Sequence, residues 1–406
     1  MSQARTEPAQ APARSPTPTA LGVVNGLIFA AGPATVDLSL PAMPTIQQAI
    51  GTAQLHIELT LTLLLFGLAI SQLLYGAVAD RFGRLAPLLA GLATYSIASL
   101  FAALAPGAMA FAAARVAQAL GYGVAIVLCR SAVADVCDER ATARVFSVAI
   151  TVMAIASVLA PAIGGQILVH LGWRAVFHSM ALYGAVTLVA TMLLLPETHP
   201  RTRRSVVPLA QTFSSYAHLL RDARIRGFCL IAASIVACQF TYNTAGPGML
   251  IEHYGLSAAS AGIVLSVIAL STAVAAPLNV LALRWRSPEQ VMRATVLIAV
   301  LAALALLSLL ALRLPVAGVI VALFVLIATP GLVVTNAMAG AISSAGSRAG
   351  AASALVGVLQ FAFGTVGSGI AGLFHDTSGR VMAVVIVTFT AIALFVGLRL
   401  RNVAVE

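Results

Sequence analysis

Twelve apolar runs, each close to twenty residues long, occupy this 406-residue chain between residues 20 and 400. Coiled as an α-helix, a run of that length matches the hydrocarbon thickness of a bilayer. Lipid supplies no water to unpaired backbone groups, so a spanning segment is either a helix or a strand of a closed barrel. Barrel strands are about ten residues long and alternate apolar with polar positions. These runs do neither. The expectation is an all-α integral membrane protein with twelve transmembrane helices. Charged residues make up only 9% of the chain, against about 25% in a soluble domain.

The net charge of +10 reflects topology rather than nucleic-acid binding. All 23 basic residues are Arg, and there is no Lys. With the N-terminus inside, most of them flank cytoplasmic helix ends, among them Arg81, Arg84, Arg140, Arg144, Arg201, Arg203, Arg204, Arg284, Arg286 and Arg348. That is the positive-inside pattern, and an even number of spans returns both termini to the cytoplasm. A bacterial inner membrane is the expected location. The longest hydrophilic gap divides the runs six and six, which suggests two repeated halves. The expected organisation is a disordered cytoplasmic tail (1–19), a six-helix bundle (20–195), a cytoplasmic linker (196–225), a second six-helix bundle (226–400) and a short tail (401–406). Ala31-Gly-Pro33 recurs as Ala245-Gly-Pro247 in the equivalent run of the second half. In the linker, Leu209, Phe213, Tyr216, Leu219 and Leu220 have helical spacing, which suits a short helix on the membrane surface.

What drives such a protein is narrowed by what is missing. A nucleotide-binding P-loop needs a Lys, and this chain has none. There is no H-E-x-x-H metal motif, and Cys129, Cys137, Cys229 and Cys238 have no metal or redox spacing. An ion-coupled secondary transporter remains. It needs no metal or organic cofactor, only a coupling proton. Its partners would be membrane lipid and a small amphipathic molecule, and a monomer is expected.

Of the thirteen acids, Asp37 alone lies well inside an apolar run. A carboxylate there costs about 2.5–3.5 kcal/mol on insertion scales, and such groups usually carry protons or hold cations. Arg115 is the basic residue deepest in any run. Polar candidates for a substrate cavity are Asn25, Gln72, Tyr75, Gln118, Gln239, Tyr242, Asn243 and Gln360, with Phe361 beside them. Each could equally be glue between helices. His170, His178 and His375 fall near the outer face, where an interfacial role is expected.

Between the second and third runs stands Gly76-Ala-Val-Ala-Asp80-Arg81-Phe-Gly83-Arg84. Gly76 allows close helix approach, and Gly83 permits a tight turn. Asp80, Arg81 and Arg84 can form a charge cluster that latches the cytoplasmic side, with Asp135 as the candidate partner of Arg84. A charged loop that only fixes topology is the alternative. This loop resembles the signature of the major facilitator superfamily. Arg115-Val-Ala-Gln118-Ala-Leu-Gly121 is similar to a further family element. Ala160-Pro161-Ala-Ile-Gly164-Gly165 resembles the G-P-x-x-G-G element of drug:proton antiporters, with Ala160 replacing its first Gly. Asp37-Leu-Ser-Leu-Pro41-Ala-Met-Pro44 resembles the bicyclomycin and chloramphenicol exporter branch, as do Gly172-Trp-Arg174 with Phe177 and Pro196-Glu-Thr198. Leu85 stands where a second basic residue often follows the loop Arg, and Ser39 where the branch often has Tyr.

The resemblance implies two six-helix bundles, alternating access and export of drugs in exchange for protons. It makes the first and fourth spans neighbours, so Arg115 becomes one possible partner of Asp37. Asp37 would take a proton outside and release it inside. An importer or metabolite exporter on the same fold is the alternative within transport, and a non-transporting membrane sensor is the alternative outside it.

Overall fold

The structure is a computed structural model that describes residues 18–51, 57–198 and 209–403. These residues are overwhelmingly helical: α1 (Pro18–Thr35), α2 (Met43–Ile50), α3 (Leu59–Phe82), α4 (Leu85–Ala103), α5 (Ala108–Val136), α6 (Glu139–Leu171), α7 (Trp173–Leu194), α8 (Leu209–Arg221), α9 (Ala223–Gly248), α10 (Ala258–Ala282), α11 (Pro288–Ala311), α12 (Val316–Ala345), α13 (Ala349–Phe374) and α14 (Arg380–Val403). Among them, eleven stretches are long and apolar enough to cross a membrane, and α3 adds a shorter apolar stretch, Leu59–Gln72. The first crossing combines α1, a 3₁₀ segment and α2.

Side-chain exposure is that of a protein built for lipid. Leu193 is 79% exposed and Met109 75%, positions that water would penalise. Polar side chains turn inward instead. Thr35, Ser71, Ser99, Arg115 and Gln118 are all fully buried.

The helices before the linker pack chiefly on one another: α1 on α6, α4 on α5 and α7, and α3 on α5. Those after it do the same: α9 on α12, α13 and α14, α11 on α12 and α14, and α10 on α12. The two groups meet along α6–α10 and α3–α13. The linker residues that are described form α8, which packs on α9 and α13. Tyr216 and Leu219 of α8 are buried there.

Both copies of the Ala-Gly-Pro element precede a break in α geometry. After Pro33, α1 stops at Thr35 and the chain continues as a 3₁₀ turn over Asp37–Ala42. After Pro247, α9 gives way to a wider π turn over Met249–His253. Proline removes an N–H donor and crowds the preceding turn, which is why such breaks form at this residue.

Candidate functional site

The break in the first crossing positions Asp37. Within a continuous α-helix the Thr35 carbonyl would accept from the Ser39 N–H. The 3₁₀ turn redirects that N–H to the Val36 carbonyl at 3.2 Å. The Thr35 oxygen then accepts from Arg115 Nη1 at 3.0 Å. A guanidinium suits the negative end of a helix and supplies the donor that the backbone withdrew.

Arg115 belongs to a buried network. Its Nη1 also donates to Gln118 Oε1 at 2.6 Å, and Gln118 Nε2 donates to Ser99 Oγ at 2.7 Å. The guanidinium carbon lies 5.7 Å from the Phe177 ring centroid. Phe177 packs edge-on against Phe111 at 5.1 Å and Trp173 at 6.3 Å. The Gly172-Trp-Arg174 and Phe177 motif thus builds an aromatic wall beside the buried cation.

One expectation is corrected here. Arg115 does not form an ion pair with Asp37; its hydrogen bonds go to the Thr35 carbonyl and Gln118. The helix break sets the two residues apart, leaving Arg115 among α1, α4 and α7 while Asp37 faces the other half of the molecule. Gln118 is likewise a network residue rather than a cavity residue.

Asp37 lines a small cavity between the halves. With it stand Leu40, Ser157 and Pro161 from the N-terminal half, and Gln239, Tyr242, Asn243, Leu265, Ala269, Thr272 and Ile327 from the other. The volume is about 30 Å³, enough for roughly one water. A drug-sized ligand needs about 300 Å³ or more, so this conformation is closed around Asp37. The Tyr242 hydroxyl is buried in the wall with no hydrogen-bond partner among the described residues. Of the other cavity candidates, Asn25 donates to the Leu21 carbonyl at 2.9 Å, and Phe361 packs 6.0 Å from Phe240. Neither these two nor Gln360 lines the Asp37 cavity.

The cavity is sealed on the side away from Arg84, the Glu58 face. There α6 crosses α10 with backbone nearly touching backbone. A Cβ on Gly165 would lie 2.9 Å from the Ala258 oxygen, and one on Gly262 would lie 2.5 Å from the Pro161 oxygen. A Cβ on Gly164 would collide with the Leu38 carbonyl, one residue from Asp37. Ser266 Oγ accepts from the Ala162 N–H at 3.0 Å across the same crossing. Pro161 and Gly165 therefore supply the close approach that shuts this face, and Gly164 seats α6 on the turn that carries Asp37. On the second seam, Thr62 and Ser368 hydroxyls are 2.8 Å apart, and Ser368 and Thr244 are 2.7 Å apart.

On the opposite, Arg84 face, Gly83 makes the turn between α3 and α4 with φ of 90°. Arg84 Nε donates to Asp135 Oδ2 at 2.9 Å, joining this turn to the end of α5. Glu197 Oε1 accepts from the Arg84 N–H at 2.9 Å, and its second oxygen lies 3.4 Å from the Leu85 nitrogen. A carboxylate at the first turn of α4 meets the positive end of that helix. Residue order alone does not place Glu197 here, although Pro196-Glu-Thr198 marks the segment. Gly76, Asp80 and Arg81 fall on the last turns of α3, with side chains outside the described residues.

Comparison with known proteins extends this picture. The family model described as Major Facilitator Superfamily matches residues 26–372. A Bacillus subtilis (strain 168) protein named uncharacterized MFS-type transporter YdgK is 30% identical over 376 residues, covering 91% of this chain and 92% of its own. A Haemophilus influenzae protein named bicyclomycin resistance protein homolog is 25% identical over 358 residues, covering 88% and 90%. Among solved structures, a peptide transporter in complex with alafosfalin superposes with a TM-score of 0.76 at 15% identity, covering 98% of this chain and 96% of that one. At that identity the likeness is one of fold.

Proposed function

This chain belongs to the major facilitator superfamily and is a multi-pass membrane transporter, not an enzyme, and we propose that it exports small amphipathic drugs in exchange for protons. In this reading it works as a monomer in a bacterial inner membrane. The Arg-rich Arg84 face is cytoplasmic, both termini with it, and the sealed Glu58 face is periplasmic. The observation that carries the proposal is the position of Asp37: it is the acid in a closed cavity whose walls come from both halves. Rocking the halves to open either face exposes that carboxyl to one compartment at a time. A periplasmic proton on Asp37 removes the charge that holds substrate, and loss of the proton to the cytoplasm restores it.

Arg115 has a different job from its expected one. By holding the Thr35 carbonyl it fixes the break that aims Asp37 at the other half. Drug export, rather than import, is favoured by the Pro161-Gly164-Gly165 element and by the name of the Haemophilus relative. The test is a cell-based resistance panel. Wild type should protect cells against several amphipathic antibiotics, and Asp37→Asn should not, at equal membrane expression. Full protection by Asp37→Asn would defeat the proposal.

A further inference from the structure

At the Glu58 face the two halves are joined by a side-chain pair that lies outside the Asp37 cavity. Glu58 immediately precedes α3 in the N-terminal half, and His375 follows α13 in the other, 317 positions away. His375 Nδ1 and Glu58 Oε2 are 2.8 Å apart, with side chains 30% and 14% exposed. The seam beneath them is tight. A Cβ on Gly372 would lie 3.0 Å from Leu59, and the Thr62–Ser368–Thr244 hydroxyls continue inward. The His375 backbone is left-handed, with φ of 43°, which ends α13 abruptly at the contact. Glu252, on the π turn after α9, acts electrostatically on both partners. Closing this face therefore gathers two carboxylates around one imidazole, and a proton on the ring offsets part of their repulsion.

We propose that Glu58 and His375 form a second proton-binding site, a latch that closes the Glu58 face when it takes up a proton. The latch rests on the alternation between two faces, not on the role assigned to Asp37. Among the described residues, neighbouring charged and ring groups of these elements have contacts elsewhere. Asp376 accepts from Ser378 and from the Val381 N–H, Arg380 Nη2 donates to the Ala311 carbonyl, and the His253 ring packs on Tyr254.

Burial opposes the imidazolium, but the hydrogen bond and charge of Glu58, with the charge of Glu252, outweigh it and hold His375 above its ordinary 6.5. Burial raises Glu58, and the opposing pull of His375 does not cancel it. Both groups bind protons more tightly when the face is closed. The contribution of His375 to closure is complete below 6.5 and is lost as pH rises through its higher closed-state value. In an exporter oriented as proposed above, protons arriving from the periplasm would shut the face from which substrate has just left.

The test uses the full chain in lipid nanodiscs, with its four cysteines replaced and spin labels at Met109 and Leu312. Both positions are exposed at the Glu58 face, one in each half. Distances between the labels are measured across a pH series. In wild type, the open population should grow above pH 6.5, by at most about tenfold per pH unit for one proton. Glu58→Gln and His375→Asn should flatten that response, and His375→Asn should also enlarge the open population at acidic pH. Asn tolerates the left-handed backbone, so His375→Asn carries the test if Glu58→Gln does not fold. Gly357→Ala, where an added Cβ meets no atom within 4 Å, should keep the wild-type response, and the latch variants should lose it whether or not Asp37 supports drug resistance. A wild type without pH response, or a latch variant that retains it, would overturn the proposal.

Discussion

Replacing Gly262 with Ala tests how the Glu58 face is sealed. A Cβ at this position would lie 2.5 Å from the Pro161 oxygen and 3.4 Å from the Gly165 Cα. Carbon contacts settle at about 3.5–4.0 Å, so α6 and α10 must separate by about 1 Å. Both obstructing atoms are backbone, and no side chain can rotate aside. Overpacking of this kind costs roughly 1–3 kcal/mol. The clash exists only while the face is closed, so the closed-to-open ratio should fall roughly 5- to 150-fold. Any gain in helix propensity from Ala acts on both states alike and leaves the ratio unchanged. The assay is the Met109–Leu312 label distance at fixed pH, with two controls. Gly357→Ala, where a Cβ meets no atom within 4 Å, should leave the distribution alone. Gly184→Ala, whose Cβ would lie 2.7 Å from the Tyr95 ring inside one half, should lower the melting temperature without opening the face. An unchanged distance distribution in Gly262→Ala would refute the argument that this crossing is the seal.

Three further outcomes follow from the same geometry. Glu197→Gln weakens the charged cap on α4 and should cost about 0.5–2 kcal/mol, read as a lower melting temperature in detergent. Arg115→Met leaves Gln118 Oε1 without its donor, at about 1–3 kcal/mol, and leaves the Thr35 carbonyl with only the long 3.4 Å contact from the Ser39 hydroxyl. Thermal melting should show the loss, and Gln118→Met added to it should recover part. Tyr242→Phe removes a hydroxyl that has no partner among the described residues, so the melting temperature should hold, while equilibrium binding of a substrate should weaken.

Much of this architecture can be read from residue order because lipid leaves few choices. Length and apolarity mark the spans, and an isolated acid within one of them marks the site. Asp37 stands out for that reason, whereas Gly164 and Gly165 stand out only through a resemblance that does not say what they pack against. The partners were harder. Arg115 is buried as expected, yet its donor goes to a backbone carbonyl freed by a 3₁₀ turn, and no side-chain pattern announces a carbonyl. Gln118 looked like a cavity residue because polarity alone does not say which side of a helix faces the cavity. Ser157 and Thr272 line the cavity but are common on lipid-buried helices and carry no mark. Glu58 and His375 sit at the edges of their runs, where charged residues are ordinary. Only the packing of α3 on α13 makes them neighbours.

The central claim is that Asp37 couples outward drug movement to inward protons, and drug flux in everted membrane vesicles tests it most directly. With an imposed pH gradient, wild type should accumulate an amphipathic antibiotic against its concentration gradient, and collapsing the gradient should abolish that. Asp37→Asn should bind the drug or let it equilibrate but never concentrate it, whatever the pH gradient. Concentrative uptake by Asp37→Asn with the pH dependence of wild type would contradict the account.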